Sequence, residues 1–330
     1  MKSCSPLYHP MRRALLTVLL AATSLAAQAE AFPARPITLV VPFPAGGTTD
    51  YVARVVADRL GQRLGKAIVI DNKPGAGGSI GMGFVARSAA DGYTLGMATV
   101  STHVVNPACN AHLPYDADKS LRPITNLANT ANVLTVRRDF AASDARALLD
   151  MIQRSPGKLS FASTGTCSGT HIMAEQFQAA TGTSLVHVPY KGAGPALNDL
   201  MGGQVNMMFD NLPSSMPYIK SGKLRALAIA WPKRLPALPD VPTFAELGLK
   251  AVNDGAWYGL VAPAGTPDAI VQRIQAEVAK VLAEPALQER LRAAGAEPAG
   301  NTPERFAADI QAERGRIKAL VAKQGIKLEN

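Results

Sequence analysis

The sequence predicts an α/β protein in which helices cover both faces of parallel-rich sheets. Short apolar runs rich in β-branched residues alternate along the chain with longer segments whose apolar residues recur at helical spacing. Parallel strands need a crossover between them, usually a helix, so this alternation is typical of a parallel sheet. The chain has 330 residues, which is too long for one small hydrophobic core, and two domains are therefore expected.

The segment 37–64 is the first of these strand–turn–helix units. Its opening run, 37–41, is apolar and β-branched and predicts a buried strand. Gly46 and Gly47 then permit a tight turn, and apolar residues at helical spacing follow from Val52 onwards. This order places a helix N-terminus at the carboxyl end of a strand. In α/β sheets ligands bind at that end, and helix N-termini favour anions.

The turn alone leaves its role open, because many strand–glycine–helix turns bind nothing. No G-x-G-x-x-G pattern fits this turn, and it lacks the lysine of a phosphate-binding loop. The nucleotide-binding motifs therefore do not apply to it.

The rest of the chain continues the alternation. Further strands are predicted at 67–71, 93–98, 132–137, 158–162, 185–189, 205–210, 224–230 and 257–262, and helices include 79–88, 143–154, 267–283 and 303–323. The turn 163–170 repeats the pattern of the first turn, with a strand before it and a helix after it. Two such turns facing each other across a cleft would enclose a small solute.

The segment 1–29 has the features of a secretory signal peptide. Arg12 and Arg13 precede the apolar stretch 14–27, and an A-x-A cleavage pattern ends at Ala29. A second A-x-A pattern ends two residues later. The apolar stretch is too short to span a membrane. We therefore expect export to the periplasm, with cleavage near Ala29.

Composition argues against a nucleic-acid partner. The formal net charge is +9, but the basic residues are spread along the chain and aromatic residues make up only 5%. A mild positive field would instead assist the capture of anionic solutes.

Two cysteines, Cys109 and Cys167, remain in the mature chain. The chain is exported, so they are candidates for a disulfide, and the sequence leaves open whether they pair. Cys167 and His171 are four apart, as a thiol and its base could be, but a small residue in a turn is the favoured interpretation. The segment 165–169 also misses the spacing of a nucleophile elbow. No catalytic residue, metal site or cofactor is expected.

Several segments, in fixed order, resemble the TctC or Bug-type extracytoplasmic receptors of tripartite tricarboxylate transporters. The resemblance runs from Phe32 to the C-terminus. The segments include FPARPITLVVPFPAGGTTDYVAR (32–54), DNKPGAGGSIG (71–81), HVPYKGAGPALNDLMGGQV (187–205) and LPDVPTFAELGL (238–249). Three departures stand out: Ala45 replaces a frequent proline, Leu121 replaces the usual Phe, and Cys167 lies in the second turn.

The resemblance implies a two-domain Venus-flytrap fold of the type II periplasmic-binding class. One domain is expected at 32–131 and 254–330, and the other at 132–253. The resemblance also implies that the domains close around the ligand, whose carboxylate is held by backbone N–H groups and water. We expect these groups to come from the turns at 45–48 and 165–170, without a bidentate arginine.

The resemblance and the predicted strand ends together give fifteen candidate ligand-binding residues. They are Phe43, Ala45, Gly46, Gly47, Thr48, Asp50, Thr99, Ser101, Gly165, Thr166, Ser168, Thr170, His171, Tyr190 and Asp210. Several have structural alternatives. In these alternatives Asp50 serves only the helix dipole, His171 caps a helix or packs, Asp210 bonds nearby backbone, and the aromatic Phe43 and Tyr190 are core residues.

The expected function is capture of a small carboxylate and its delivery to the permease subunits of a tripartite tricarboxylate transporter. The ligand could be a di- or tricarboxylate, an acidic amino acid or an aromatic carboxylate. The receptor is expected to be a monomer. Two alternatives remain open: a receptor that presents its ligand to a membrane sensor, and an exported hydrolase.

Overall fold

The structure is a computed structural model and describes residues 32–110 and 112–324. The predicted signal peptide and both cleavage patterns lie outside the described residues. Within these two ranges, no helix is long and apolar enough to cross a membrane.

Strands and helices alternate along most of the described chain. The strands are β1 (Ile37–Val41), β2 (Ile68–Asn72), β3 (Thr94–Thr99), β4 (Leu121–Thr130), β5 (Asn132–Arg137), β6 (Ser160–Ser163), β7 (Val186–Pro189), β8 (Met207–Asn211), β9 (Leu224–Ala230), β10 (Ala256–Pro263) and β11 (Ala296–Pro298). The helices are α1 (Thr48–Leu64), α2 (Ser79–Ala86), α3 (Asn106–Cys109), α4 (Ala145–Arg154), α5 (Gly169–Thr181), α6 (Ala193–Met201), α7 (Leu212–Lys220), α8 (Asp268–Leu282), α9 (Pro285–Ala293) and α10 (Pro303–Gln324). A π-helical turn at Ser101–Val105 precedes α3.

The strands form two sheets. The first has the order β11-β4-β10-β3-β1-β2, in which β1 is parallel to β2 and β3, and β10 is antiparallel to β3 and β4. The second has the order β7-β6-β8-β5-β9, in which β6 is parallel to its neighbours and β5 is antiparallel to its own. The predicted α/β class is confirmed. The antiparallel strands β4, β5, β9 and β10 adjoin the segments where the chain passes between the sheets.

Each sheet has its own hydrophobic core. The helical spacing that predicted α1 places Val52, Val56 and Leu60 against β1 in the core of the first sheet. Full burial of an aliphatic side chain of this size contributes about 1.5–3 kcal/mol. In the second sheet, Phe161 and Phe209 lie edge to face with ring centroids 5.8 Å apart. Each sheet therefore has a core of its own, and a further cluster packs Cys167 and Ile172 of the second unit against residues of the first.

The chain passes between the sheets twice. Strand β4 ends at Thr130 and β5 begins at Asn132, and the return segment reaches β10 through Gly255. A Cβ at Gly255 would lie 2.8 Å from the carbonyl oxygen of Thr130 and 2.7 Å from the Trp231 ring, so a side chain does not fit there. The amide of Asn132 donates to the carbonyl of Asp254 at 2.9 Å and joins the two passages. The predicted domain boundaries stay a prediction, and they fall at these two passages.

Candidate functional site

The candidate site is the cleft between the two sheets. Strands β1, β3, β6 and β8 end there, and α1, α5 and α7 begin there. The cleft contains two adjoining chambers that share Thr99, Ser101, Asn211 and Tyr258. We define the first chamber by Phe43, Gly47, Thr48, Thr49, Thr164 and Ala193 in addition to these four residues.

Asp50 holds the first turn in shape from behind. Its carboxylate is 5% exposed and accepts the Gly46 N–H at 3.1 Å, Asn72 Nδ2 at 3.1 Å and Arg54 Nε at 2.9 Å. Burial raises the pKa of Asp50, but the hydrogen bonds from Arg54, Gly46 and Asn72 outweigh burial and hold it below its usual value. Gly46 has a φ of +82°, which favours glycine. Asp50 therefore fixes the backbone of the turn, and Arg54 is committed to Asp50.

The N-terminus of α1 presents its backbone N–H groups to the first chamber. The N-cap residue is Gly47, which makes no side-chain cap hydrogen bond. Among the described residues, no acceptor contacts the N–H groups of Gly47, Thr48 and Thr49, and all three residues line the chamber. Within the same part of the chain, no charged side chain lines the first chamber. The donors and the helix dipole therefore make this wall attractive to an anion.

The side chain of Thr48 reaches across the cleft instead of capping its own helix. Its Oγ1 accepts the Ser214 N–H at 3.1 Å and lies 3.1 Å from the carbonyl oxygen of Asn211. Ser214 is in the first turn of α7, which belongs to the second sheet. Thr48 thus caps a helix of the opposite unit, and this contact exists only when the two units are together.

The second turn satisfies most of its own N–H groups. The Thr164 N–H donates to Thr170 Oγ1 at 2.9 Å, and the Cys167 N–H donates to His171 Nδ1 at 3.3 Å. The hydroxyl of Ser168 accepts the His171 N–H at 3.2 Å and caps α5. These local bonds follow from the many hydroxyl side chains in the turn.

The remaining donors of the second turn are few. The Gly169 N–H donates to Ser101 Oγ at 3.0 Å, a bond that joins the two units. Only the N–H groups of Thr166 and Thr170 lack an acceptor in the described part of this turn. In this conformation the first turn therefore offers more donors to a ligand than the second.

His171 lies behind the second turn in a stack of rings. It is stacked on His187 with ring centroids 4.0 Å apart, and His187 is stacked on Phe161 at 4.8 Å. Burial lowers the pKa of His171 to about 3, with a contribution from His187, and burial lowers the pKa of His187 to about 4. Both rings are neutral at pH 7. The His171 ring accepts a backbone N–H and therefore supports the turn rather than supplying positive charge to a ligand.

Asp210 and Tyr190 are not among the residues that line the two chambers. Asp210 is fully buried and accepts the hydroxyls of Ser214 at 2.7 Å and Ser215 at 2.6 Å. Burial raises its pKa to about 6, although these hydrogen bonds act in the opposite direction. The Tyr190 hydroxyl donates to Asp199 on α6 at 2.7 Å.

Six of the fifteen predicted residues line the chambers. They are Phe43, Gly47, Thr48, Thr99, Ser101 and Thr170. Gly46, Asp50, Ser168, His171 and Asp210 support this wall, whereas Ala45, Gly165 and Thr166 lie where the two units touch. The ligand-binding role of all fifteen stays a prediction.

Several lining residues were not predicted from the sequence. They include Asn132, Gln176, Asn211, Asp254, Trp257, Tyr258, Glu313 and Arg316. Asn211 directly follows the predicted strand 205–210, so its place at a strand end was a usable signal. Gln176 is a polar residue on the apolar face of α5, between Met173 and Phe177, which was a second signal.

The two units are closed against each other in the structure. A Cβ at Gly192 would lie 2.4 Å from Cδ of Pro44, and one at Gly77 would lie 3.0 Å from the Thr166 carbonyl oxygen. Loops of the first sheet therefore touch turns of the second on the rim of the cleft. Glycines at these positions permit the close approach.

Cys109 and Cys167 adjoin each other at this contact as free thiols. The hydrogen bond between them raises the pKa of Cys109, together with burial, and lowers the pKa of Cys167. Cys167 has a φ of +56°, which is unusual for a residue other than glycine. The disulfide stays a prediction, and the fold brings its two partners together from opposite units.

A cleft closed by two α/β units and lined by strand ends and helix N-termini defines a solute-binding protein of the Venus-flytrap type. The chain belongs to the tripartite tricarboxylate transporter family of receptors, because the model of that family matches residues 52–326.

Named relatives agree with this assignment. Protein BugT of Bordetella pertussis is 37% identical over 319 residues, which cover 96% of this chain and 98% of BugT. A solved periplasmic transporter is 50% identical with a TM-score of 0.89, and the match covers 91% of this chain and 100% of that one. An R. palustris protein solved with adipate is 36% identical with a TM-score of 0.87, and the match covers 89% of this chain and 99% of that one.

Proposed function

We propose that this protein is a periplasmic receptor that captures a small carboxylated solute in the cleft and delivers it to a tripartite tricarboxylate-type permease. The observation that carries the proposal is the uncapped N-terminus of α1, which faces a chamber between two units. The relative solved with adipate supports the choice of a carboxylate. Family membership supports the periplasmic location and the permease partner.

The first chamber can hold a carboxylate by backbone donors alone. Each hydrogen bond to a charged group is worth about 1.5–3 kcal/mol, and a partly buried helix end adds up to about 2 kcal/mol. Three N–H groups and one helix end therefore supply roughly 5–11 kcal/mol before ordering and desolvation are subtracted. A micromolar site needs about 8 kcal/mol. Ser101 lines the same chamber, and its hydroxyl accepts the Gly169 N–H, so its own O–H remains as a further donor.

The arrangement gives no support to the hydrolase alternative. The ring of His171 accepts the Cys167 N–H, so it is not placed as a base for the Cys167 thiol, which bonds Cys109 instead. Among the described residues, no group of three His, Cys, Asp or Glu side chains could hold a metal ion. We therefore propose a receptor without chemistry of its own.

Native mass spectrometry of the protein purified from the periplasm tests the proposal. We expect a retained small acid, and calorimetry with the identified acid should give a one-to-one complex. Uptake of the same acid should fall when the receptor is deleted. Absence of binding to every carboxylate tested, or turnover of the bound acid, would contradict the proposal. Normal uptake in the deletion strain would instead favour a membrane sensor as the partner.

A further inference from the structure

The second chamber extends the cleft towards the two chain passages. In addition to the four shared residues, it is lined by Asn132, Gln176, Trp257, Glu313 and Arg316, with Asp254 near the passage. Gln176 comes from α5 of the second sheet, whereas Glu313 and Arg316 come from α10, which packs on the first. A solute in the first chamber can therefore extend its other end between these two helices.

The charged side chains that line the second chamber disfavour the binding of an anion there. Glu313 accepts the indole N–H of Trp257, and its Oε1 lies 3.6 Å from the Arg316 guanidinium, with 17% of its side chain exposed. Arg316 is also paired with Asp254. Among the described residues, Arg316 is the only Lys or Arg that lines either chamber, and it is shared by two carboxylates. The lining of the second chamber therefore carries one net negative charge.

Gln176 supplies a hydrogen-bonding group that the protein itself does not use. Gln176 is 4% exposed, and in the described part of the chain its buried amide nitrogen, Nε2, has no hydrogen-bond acceptor. A buried amide without a partner is unfavourable, because it has lost water and gained nothing in return. A polar group of the solute placed in this chamber restores the missing bond.

We propose, on the basis of the proposed receptor function, that the solute carries one carboxylate and a neutral hydrogen-bonding group such as an amide at its other end. The carboxylate occupies the first chamber at the N-terminus of α1. The neutral group occupies the second chamber and bonds Gln176. A second carboxylate in that place would face Glu313 with no cation left to neutralise it, and closure would hold both charges away from water.

Calorimetry with matched pairs of probes tests this inference on the mature wild-type protein. The pairs are succinate with succinamate, glutarate with glutaramate and adipate with adipamate, which differ only in one carboxylate or amide group. We expect the half-amide of the best-fitting length to bind at least tenfold more tightly than its diacid. This ratio needs no variant and decides the question by itself.

Two variants then test which residues cause the preference for the half-amide. Glu313→Gln keeps an oxygen that can accept the Trp257 N–H but removes the charge, and it should reduce the preference to less than threefold by strengthening the diacid. Gln176→Leu should weaken the half-amide at least fivefold and leave the diacid nearly unchanged. Glu304→Gln removes the same charge from an exposed position on α10 and serves as the matched control, with no expected change in the ratio.

The outcomes separate this inference from the receptor function. A diacid that binds as tightly as its half-amide, or more tightly, overturns the inference and leaves carboxylate capture intact. An unchanged preference in folded Glu313→Gln overturns the assigned cause. Absence of binding by both members of every pair counts against the inference and against the proposed function together.

Discussion

At the scale of single residues, we expect capture of the anion to depend most directly on the N–H of Gly47. Gly47→Pro removes this donor, and we expect affinity for the bound acid to fall by about 10- to 150-fold, the equivalent of one charged hydrogen bond. Gly47→Ala keeps the donor, and its Cβ would meet Ala193 at an ordinary 3.6 Å. Calorimetry on both variants should therefore separate them. Equal affinities would show that the backbone donor is not used.

The ring stack of His171 and His187 makes stability depend on pH. Both pKa values are lowered on folding, to about 3 and about 4. Below pH 6.5 these two histidines bind protons in the unfolded chain but not in the folded one. Their contribution to the free energy of unfolding is therefore complete above that pH and falls on acidification towards pH 4. Each histidine contributes a slope of up to about 1.4 kcal/mol per pH unit.

Denaturant unfolding between pH 7 and pH 4 measures this dependence. His187→Gln should flatten the slope by up to one proton. His112→Gln changes an exposed histidine and should leave the slope unchanged. A slope in His187→Gln as steep as that of the wild type would mean that other groups cause the acid sensitivity.

At the scale of elements, Thr48 links the start of α1 to the start of α7. Thr48→Val keeps the shape of the side chain but removes the hydroxyl that caps α7, which costs about 0.5–2 kcal/mol in a typical helix cap. We expect this bond to be lost when the two units part, so ligand affinity should fall by roughly 2- to 30-fold with little loss of thermal stability in the absence of ligand. Thr48→Ser retains the hydroxyl and should bind like the wild type. Full affinity in Thr48→Val would argue that the cap does not favour closure.

The strands show how far the sequence alone could predict the fold. Strands β5 and β9 have the predicted bounds, because each is a short, mostly apolar run. Strand β4 was not predicted, since Pro123, Asn126 and Asn129 break its pattern. It forms because β10 pairs along its whole length, with two shifts of register, one of them between Thr125 and Pro123. The local sequence pattern predicted the strands that are themselves apolar. Strands such as β4 form because a distant segment pairs with them, which the local pattern does not show.

The two turns show that local sequence pattern also predicts the candidate site only in part. The first turn was correctly placed at the start of a helix, since its glycines are followed by regular helical spacing. The second was expected to offer N–H groups, but its hydroxyl side chains already accept several of them. Tyr258 and Glu313 were not predicted to line the cleft, because they belong to β10 and α10, which lie far along the chain from either turn.

At the scale of the whole molecule, two passages of the chain and a rim of glycine contacts predict a hinge. We expect the protein without ligand to sample an open form, and small-angle scattering should show a smaller radius of gyration when the acid is bound. The contacts at Gly192 and Gly77 would set the compact limit of this expected motion. An unchanged radius despite proven binding would mean that the unliganded form is already closed.

Cys109 and Cys167 meet across the same closing surface. Peptide mapping of non-reduced protein taken directly from the periplasm should reveal whether they are joined, and two intact thiols would exclude the bond. A periplasmic dithiol oxidase could join them by removing two protons and two electrons.

Oxidation of this pair would change what limits the release of a solute. The hinge would no longer set the dwell time, because the two units would be joined covalently on the side where they must part. A solute bound before oxidation would stay bound until the disulfide was reduced. A receptor oxidised without a solute would not bind one. Release of the solute would then follow the redox state of the compartment rather than the concentration of the solute. The pair Cys109 and Cys167 would thus make release of the solute depend on earlier oxidation as well as on the binding equilibrium.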